Sequence, residues 1–441
     1  MESAGVLEAD KSRGKRKLRA ILWIVIFLAA GEFFVRGPVR FFQNSTSWSD
    51  LSQNYAASKL WLKGQSPADP RNFIALWKHE TGSRLELTDI RTHLAPPLGG
   101  LVVMAPIAAL PWKLAKVFWL AVLLIAFTAT VGALVLAGGF GWHESRTLAF
   151  IAACLALAPF QTGIASGNPS ILVICFCAVA IWAAQRNHDI FSGILFGMAC
   201  SMKPHLGAFL VLYYLVRRRW QLFGSAVACT VALNLVAALY LQLRGASWIH
   251  DYLQNAKGFV AANPIDDFSE INPSRFTLIN LQVPFFSITG NPSLSNVLAF
   301  SVVGVLLCAW LYRVMKHREH PHELLSLGTV AVLSLLPVYH RFYDAALLAV
   351  PLCWCMTNAA PHSRKSYTIA LLLIAPFLLP GTAFLQQLAM LGKVPDAVTK
   401  SWMWNCIVMP HETWALLLLG LVLIYGMRAV ESHQGHSMVL G

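Results

Sequence analysis

Residues 114–137 read LAKVFWLAVLLIAFTATVGALVLA, with one cation, Lys116, and no anion in the whole run. A helix needs about 20 consecutive apolar residues to cross the hydrocarbon core of a bilayer, so this stretch is long enough to do so. The rest of the chain has the same character. Hydrophobic residues make up 56% of the 441 positions and charged residues only 12%, where a soluble domain carries about 25% charged residues. The solvent for most of this chain is lipid, and lipid admits helices or closed barrels only.

Further windows of this kind lie at 18–36, 94–111, 147–164, 170–185, 190–216, 221–243, 296–315, 323–339, 342–358, 366–388 and 411–428. Together they predict an all-α, polytopic integral membrane protein with about 12 crossings. Polar stretches at 37–93, 244–295 and 389–410 interrupt them. No internal repeat or second soluble domain is legible, so residues 1–441 read as one membrane domain.

The net charge of +13 does not indicate nucleic acid. The cations fall in short clusters between apolar runs: Lys11 to Arg19, Arg217 to Arg219, Arg313 to Arg318, and Arg364 with Lys365. That is the pattern of cytoplasmic loops. It predicts cytoplasmic termini, an uncleaved first helix, and all three polar stretches on the outer face of the plasma membrane. The nine cysteines, Cys175, Cys177, Cys353 and Cys355 among them, sit inside apolar runs without zinc-ligand spacing and read as small core residues.

Two features shape the expected interior. Leu51 to Leu62 has helical spacing of its apolar residues, with Trp48 and Trp61 near its ends, which predicts a helix lying on the membrane surface in a large first external loop. Lys203-Pro204-His205 interrupts the run 190–216, and proline kinks or splits a helix there. Whether the run makes one span or two decides which face holds Gly167-Asn168-Pro169.

Ionisable groups in such a chain are candidates for function. Asp50 follows Ser49 at the head of the 51–62 helix, where a carboxylate can serve as a base or as a helix cap. Asp69 and Asp89 are rivals in the same loop, Asp69 within a Pro-Ala-Asp-Pro turn. Lys203 needs an anion, water or a carbonyl, and either a bound phosphate or snorkelling satisfies it. His205 beside it is a phosphate donor or a packed polar side chain. Tyr339-His340-Arg341-Phe342-Tyr343-Asp344 gathers donors, a fixed cation and a carboxylate in one turn. There Arg341 either binds phosphate or pairs with Asp344. Trp48, Trp61, Trp77, Trp402, Trp404 and Trp414 stack on sugars or form an interfacial belt.

The order of several of these pieces resembles glycosyltransferase family 87, the polyprenyl-phosphate-mannose-dependent mannosyltransferases of the GT-C fold. The resemblance rests on Asp50-Leu51 with Tyr55-Ala56 and Gly64, Ala95-Pro96-Pro97-Leu98 leading to Ala105-Pro106 and Leu110-Pro111, and Gly167-Asn168-Pro169-Ser170. It continues through Gly193 to Pro204, Arg217 to Trp220, and Pro337-Val338-Tyr339-His340, spanning roughly 45–355. The chain departs from the family's pattern at Asn168, where Gln is usual, and at His93-Leu94-Ala95, where Tyr-Pro is commoner.

The resemblance implies a hexosyltransferase that moves a hexose, mannose by likeness, from a polyprenyl phosphate to a lipid or glycan acceptor on the outer face. A lipid-phosphate leaving group needs no general acid, so one base suffices and the anomeric centre inverts. The base implied is Asp50. Lys203, His340, Arg341 and His205 are the implied donor-phosphate ligands, and Tyr55, Asp89, His93, Asn168 and Tyr339 the implied substrate contacts. Asp50, Lys203 and His340 are then expected to line one cavity. No D-x-D pair stands in a loop, so neither a metal nor another cofactor is expected. The rival class is a polytopic transporter or lipid-linked sugar flippase, whose broken helices meet at the midplane. A scaffold without activity is a third.

Overall fold

The computed structural model describes residues 2–43, 49–81, 96–262, 266–316, 323–357 and 364–439. Among these the secondary structure is helical, with one isolated bridge between Leu278 and Arg341. Helix α1 (Glu2–Phe34) passes through a π-turn, Val35–Val39, into α2 (Arg40–Gln43). The first polar stretch holds α3 (Asp50–Leu62) and α4 (Pro70–Thr81). Next come α5 (Leu98–Ala108), α6 (Trp112–Ala137), α7 (Ser145–Ala156), α8 (Ala158–Ser166) and α9 (Ser170–Gln185).

The middle of the chain forms α10 (Asp189–Met202), α11 (Pro204–Val216), α12 (Trp220–Leu243), α13 (Trp248–Ala262), α14 (Gln282–Thr289), α15 (Pro292–Lys316) and α16 (Glu323–Ser334). A 3₁₀ segment, Phe342–Leu348, leads into α17 (Ala349–Met356). The chain continues with α18 (Arg364–Ile374), α19 (Gly381–Met390), α20 (Asp396–Thr399) and α21 (His411–Val439).

Among the described residues, four helices are long and apolar enough to cross a bilayer: Lys17–Gln43, Trp112–Ala137, Trp220–Leu243 and Pro292–Lys316. Two further runs are bent pairs, α7 with α8 at 47° and Lys365–Leu378 with α19 at 42°. The other expected windows appear as shorter apolar helices. Local chemistry accounts for the breaks. The first bend falls just before Pro159, the second just before Gly381, and the run 190–216 divides at Lys203, whose backbone (φ −142°, ψ 85°) leaves the helical region ahead of Pro204. The chain therefore splits there rather than kinking.

Helices α10 and α12 approach through Gly193 and Gly197, which are one turn apart. A β-carbon at Gly193 would stand 2.4 Å from the Leu222 carbonyl oxygen, and one at Gly197 would stand 2.7 Å from that of Ala226. Only glycine permits such backbone contact, and in lipid, close packing is what draws helices together. Gly197→Leu is expected to force the pair apart at a cost of order 3 kcal/mol or more. The check is the yield of monodisperse protein in detergent and its thermal midpoint; wild-type values for both would refute the close contact.

The 51–62 helix forms, but not as an open surface helix. Leu51, Ser52, Tyr55, Ala56, Ala57, Ser58, Leu60 and Trp61 are all buried, and the helix packs against α5. Hydrophobic spacing marks one face, whereas the body of the protein covers more than one. Trp61 donates to the Ala237 carbonyl at 3.1 Å, and Trp77 packs on Trp112. With Trp404 also buried, Trp402 is the exposed member of that tryptophan set among the described residues. Cys154, Cys175, Cys177, Cys353, Cys355 and Cys406 are buried small side chains.

Candidate active site

Four local structures meet in the interior: the first turn of α3, the turn from α8 to α9, the α10–α11 joint, and the turn entering the 3₁₀ segment. At the head of α3 the cap is Ser49. Its hydroxyl accepts from the Ser52 amide, and the Ser52 hydroxyl accepts from the Ser49 amide in return. Asp50 is thereby released from capping. Its half-buried carboxylate instead accepts from Asn168 Nδ2 at 2.9 Å.

The α8–α9 turn supplies that asparagine. Gly167 ends α8 in the left-handed region (φ +67°), where a side chain would be strained and would meet Leu51 and Phe41. Trp119 Nε1 holds the Gly167 carbonyl at 2.9 Å. The reversal points Asn168 at α3 while its Oδ1 takes the Ser170 amide at 2.9 Å. The Ser170 hydroxyl lies 2.7 Å from Asn168 Oδ1 and 2.5 Å from Asp344 Oδ1.

Asp344, 2% exposed, is the hub. Lys203 Nζ donates to its Oδ1 at 2.9 Å and to the Ser170 hydroxyl at 2.6 Å. Its Oδ2 lies 3.3 Å from His340 Nδ1 and accepts from the Arg341 amide at 3.3 Å. His340 is wholly enclosed. Its Nε2 lies 3.0 Å from the Ser334 carbonyl oxygen, and the His205 ring meets it edge-on at 4.7 Å. The Lys203 ammonium also lies over the Tyr343 ring at 4.9 Å. The joint at Lys203 thus carries an ion pair in a setting where an unpaired charge would be costly.

Arg341 pairs with Asp266 at 2.9 Å, not with Asp344. It borders a cavity of about 200 Å³ together with Thr162, Thr277, Tyr343, Thr382 and Glu412. A larger cavity of about 510 Å³ shares Thr162, Pro380 and Ala383 with it and runs along apolar residues to Arg36 and Arg40. The charge of Asp50 acts on Arg341, Tyr343 and Tyr339.

Of the residues singled out from sequence, Asp50, Asn168, Lys203, His205 and His340 thus join in one network, with Arg341 and Tyr339 beside it. Hydrogen bonds connect Asp50 to Lys203 and His340, yet none of the three lines either cavity. Among the four expected phosphate ligands, Arg341 is the one on a cavity wall; the donors of Lys203 and His340 are engaged with Asp344, Ser170 and Ser334. Asn168 likewise spends its amide on Asp50 and Ser170. Tyr55 is fully buried away from this network. Its hydroxyl donates to Glu80 Oε2 (3.1 Å) or to the Leu110 carbonyl (2.9 Å), and Lys59 donates to it at 2.6 Å. Burial, with the Glu80 charge adding to it, pushes that phenol well above its ordinary range. Asp69 anchors the start of α4 by accepting the Arg71 amide at 2.9 Å. Asp89 and His93 lie outside the described residues.

His205, His340 and Asp344 bring three metal-capable atoms within 4.8 Å of one another. Both Asp344 oxygens already have partners, and Lys203 supplies the positive charge. A divalent ion would have to displace that ammonium.

Asp266 and Glu412 were not singled out from sequence. Glu412 reads there as an ordinary acid in the first turn of a helix, and Asp266 as one of many polar loop residues. The family model of glycosyltransferase family 87 matches residues 96–338. No curated protein and no solved structure matches the chain.

Proposed function

This chain belongs to glycosyltransferase family 87 and is a membrane glycosyltransferase, and from that premise we propose that it transfers a hexose, mannose by likeness, from a polyprenyl phosphate to a lipid or glycan acceptor. The observation that carries this reading is the unbroken run of hydrogen bonds from Asp50 through Asn168 and Ser170 to Asp344, which joins one half-exposed carboxylate to the turn that carries Arg341. In the reaction the acceptor hydroxyl attacks the anomeric carbon while its proton passes to Asp50. The bond from that carbon to the phosphate oxygen breaks on the opposite side, so the centre inverts. Arg341 contacts the departing phosphate as a two-pronged donor. Lys203 and His340 act through Asp344, fixing the turn that carries Arg341.

The larger cavity suits the polyprenyl chain, being mostly apolar and sharing Thr162, Pro380 and Ala383 with the Arg341 cavity. The site is taken to face outward from the plasma membrane with both termini in the cytoplasm, a reading supported by the cation clusters between the apolar runs. Because an ammonium occupies Asp344, transfer is expected to be independent of divalent metal.

Purified protein incubated with labelled polyprenyl-phosphate mannose, and separately with the labelled sugar nucleotide, tests the proposal. Transfer from the lipid donor alone, undiminished by EDTA, is expected. Efficient use of the nucleotide would point to a different transferase, and movement of lipid-linked sugar across liposomes without transfer to a transporter. Loss of activity in EDTA would overturn the metal-independent mechanism.

A further inference from the structure

The reading above leaves Glu412 unused. It stands in the first turn of α21, is 2% exposed, and borders the 200 Å³ cavity together with Arg341 and Tyr343. Its Oε1 accepts from the Thr382 amide at 3.2 Å and lies 3.9 Å from His411 Nε2. An interior carboxylate is costly to keep in an apolar protein, and the Thr382 and Gly381 donors around Glu412, all neutral, offset only part of that cost.

The cavity wall carries both signs of charge and several hydroxyls: Arg341, Glu412, Thr162, Thr277, Thr382 and Tyr343. Phosphate is disfavoured beside Glu412, and a cation beside Arg341. A neutral molecule rich in hydroxyls satisfies both, since a carboxylate accepts from hydroxyls and a guanidinium donates to them. The volume fits such a ligand: 200 Å³ is room for about six or seven waters at roughly 30 Å³ each, the scale of one pyranose ring. The cavity is lined by Tyr343 and Arg341, on which the charge of Asp50 acts, and shares Thr162, Pro380 and Ala383 with the apolar cavity.

We propose that this cavity holds the ring of the transferred sugar and that Glu412 determines specificity by accepting hydrogen bonds from its hydroxyls. The proposal rests on the lipid-linked donor reading and assigns the sugar's seat within it. The larger cavity then takes the lipid tail, and Arg341, on the wall of the sugar's cavity, contacts the phosphate.

The test is binding of three carriers to the full chain in nanodiscs: polyprenyl phosphate, its mannosyl ester and its glucosyl ester, with wild type and Glu412→Gln. Gln keeps an oxygen for the Thr382 amide, so the variant retains that anchor. Wild type is expected to prefer one sugar-bearing carrier over the bare carrier by about 10- to 100-fold, the scale of hydrogen bonds to a charged group. Glu412→Gln should erase most of that preference and leave bare-carrier binding unchanged, which also shows the variant to be folded. An intact preference in Glu412→Gln, or no sugar preference in wild type, overturns the sugar seat and leaves the donor reading standing. Equal weakening of all three carriers assigns Glu412 to structure and overturns it too. If wild type binds none of the carriers, the donor reading falls and the seat with it.

Discussion

Asp50→Asn is expected to lower turnover by roughly 10²–10⁴-fold, the contribution of a positioned general base, with the thermal midpoint near wild type. The structure removes the usual ambiguity of such a result. Ser49 caps α3 with Ser52 in return, so the substitution takes no cap away. Asn168 Nδ2, which donates to Asp50 Oδ2 at 2.9 Å, finds an amide oxygen in the same place in the variant. The turn, the cap and the packing survive while the proton acceptor is lost. Single-turnover transfer from the lipid-linked donor, measured beside donor affinity, is the check. A variant that retains a third or more of wild-type turnover, or one that loses donor binding instead, would show that Asp50 is not the base.

Lys203→Met is expected to cost about 3–5 kcal/mol of stability, because it leaves Asp344 buried without its cation. The ammonium is 2.9 Å from Asp344 Oδ1, and the carboxylate side chain is 3% exposed. Adding Asp344→Asn to that variant removes the stranded charge, so the double variant should recover a large part of the loss while activity stays low. Thermal unfolding of the four proteins of this cycle measures the coupling. If the double variant is destabilised by the sum of the two single changes, Lys203 and Asp344 are not energetically coupled and the hub described here is incidental.

Much of the fold was legible because it depends on local pattern. The apolar windows became helices close to where spacing put them, and Pro204 marked a real break, since its constraint acts on the residue just before it. The polar stretches were harder to read. Their helices α3, α4 and α14 are held by tertiary burial, and nothing in Leu51 to Leu62 says that a second face will be covered. The site divides along the same line. Asp50, Lys203 and the 339–344 turn stood out as charges in an apolar chain, an anomaly visible one residue at a time. Their partners did not: Asn168 reaches Asp50 across 118 positions, and Ser170 reaches Asp344 across 174. Arg341 shows the limit most plainly. Its nearest acid in sequence, Asp344, was the natural partner, yet Lys203 takes Asp344, and Arg341 turns to Asp266.

The close contact of α10 with α12 has a mechanical consequence. Backbone meets backbone at Gly193 and Gly197 with only the short Ser225 and Cys229 side chains alongside, so α10 has little room to shift and Lys203 stands at the end of a closely held helix. The opposite side is built differently. There the cavities are walled by α8 and α19, each half of a bent pair, with Pro159 and Pro380 at the bends. Any widening needed to admit a branched lipid tail falls on that hinged wall, while the charges around Asp344 keep their spacing. The enzyme is stiff where bonds are made and broken, and yields where cargo must pass.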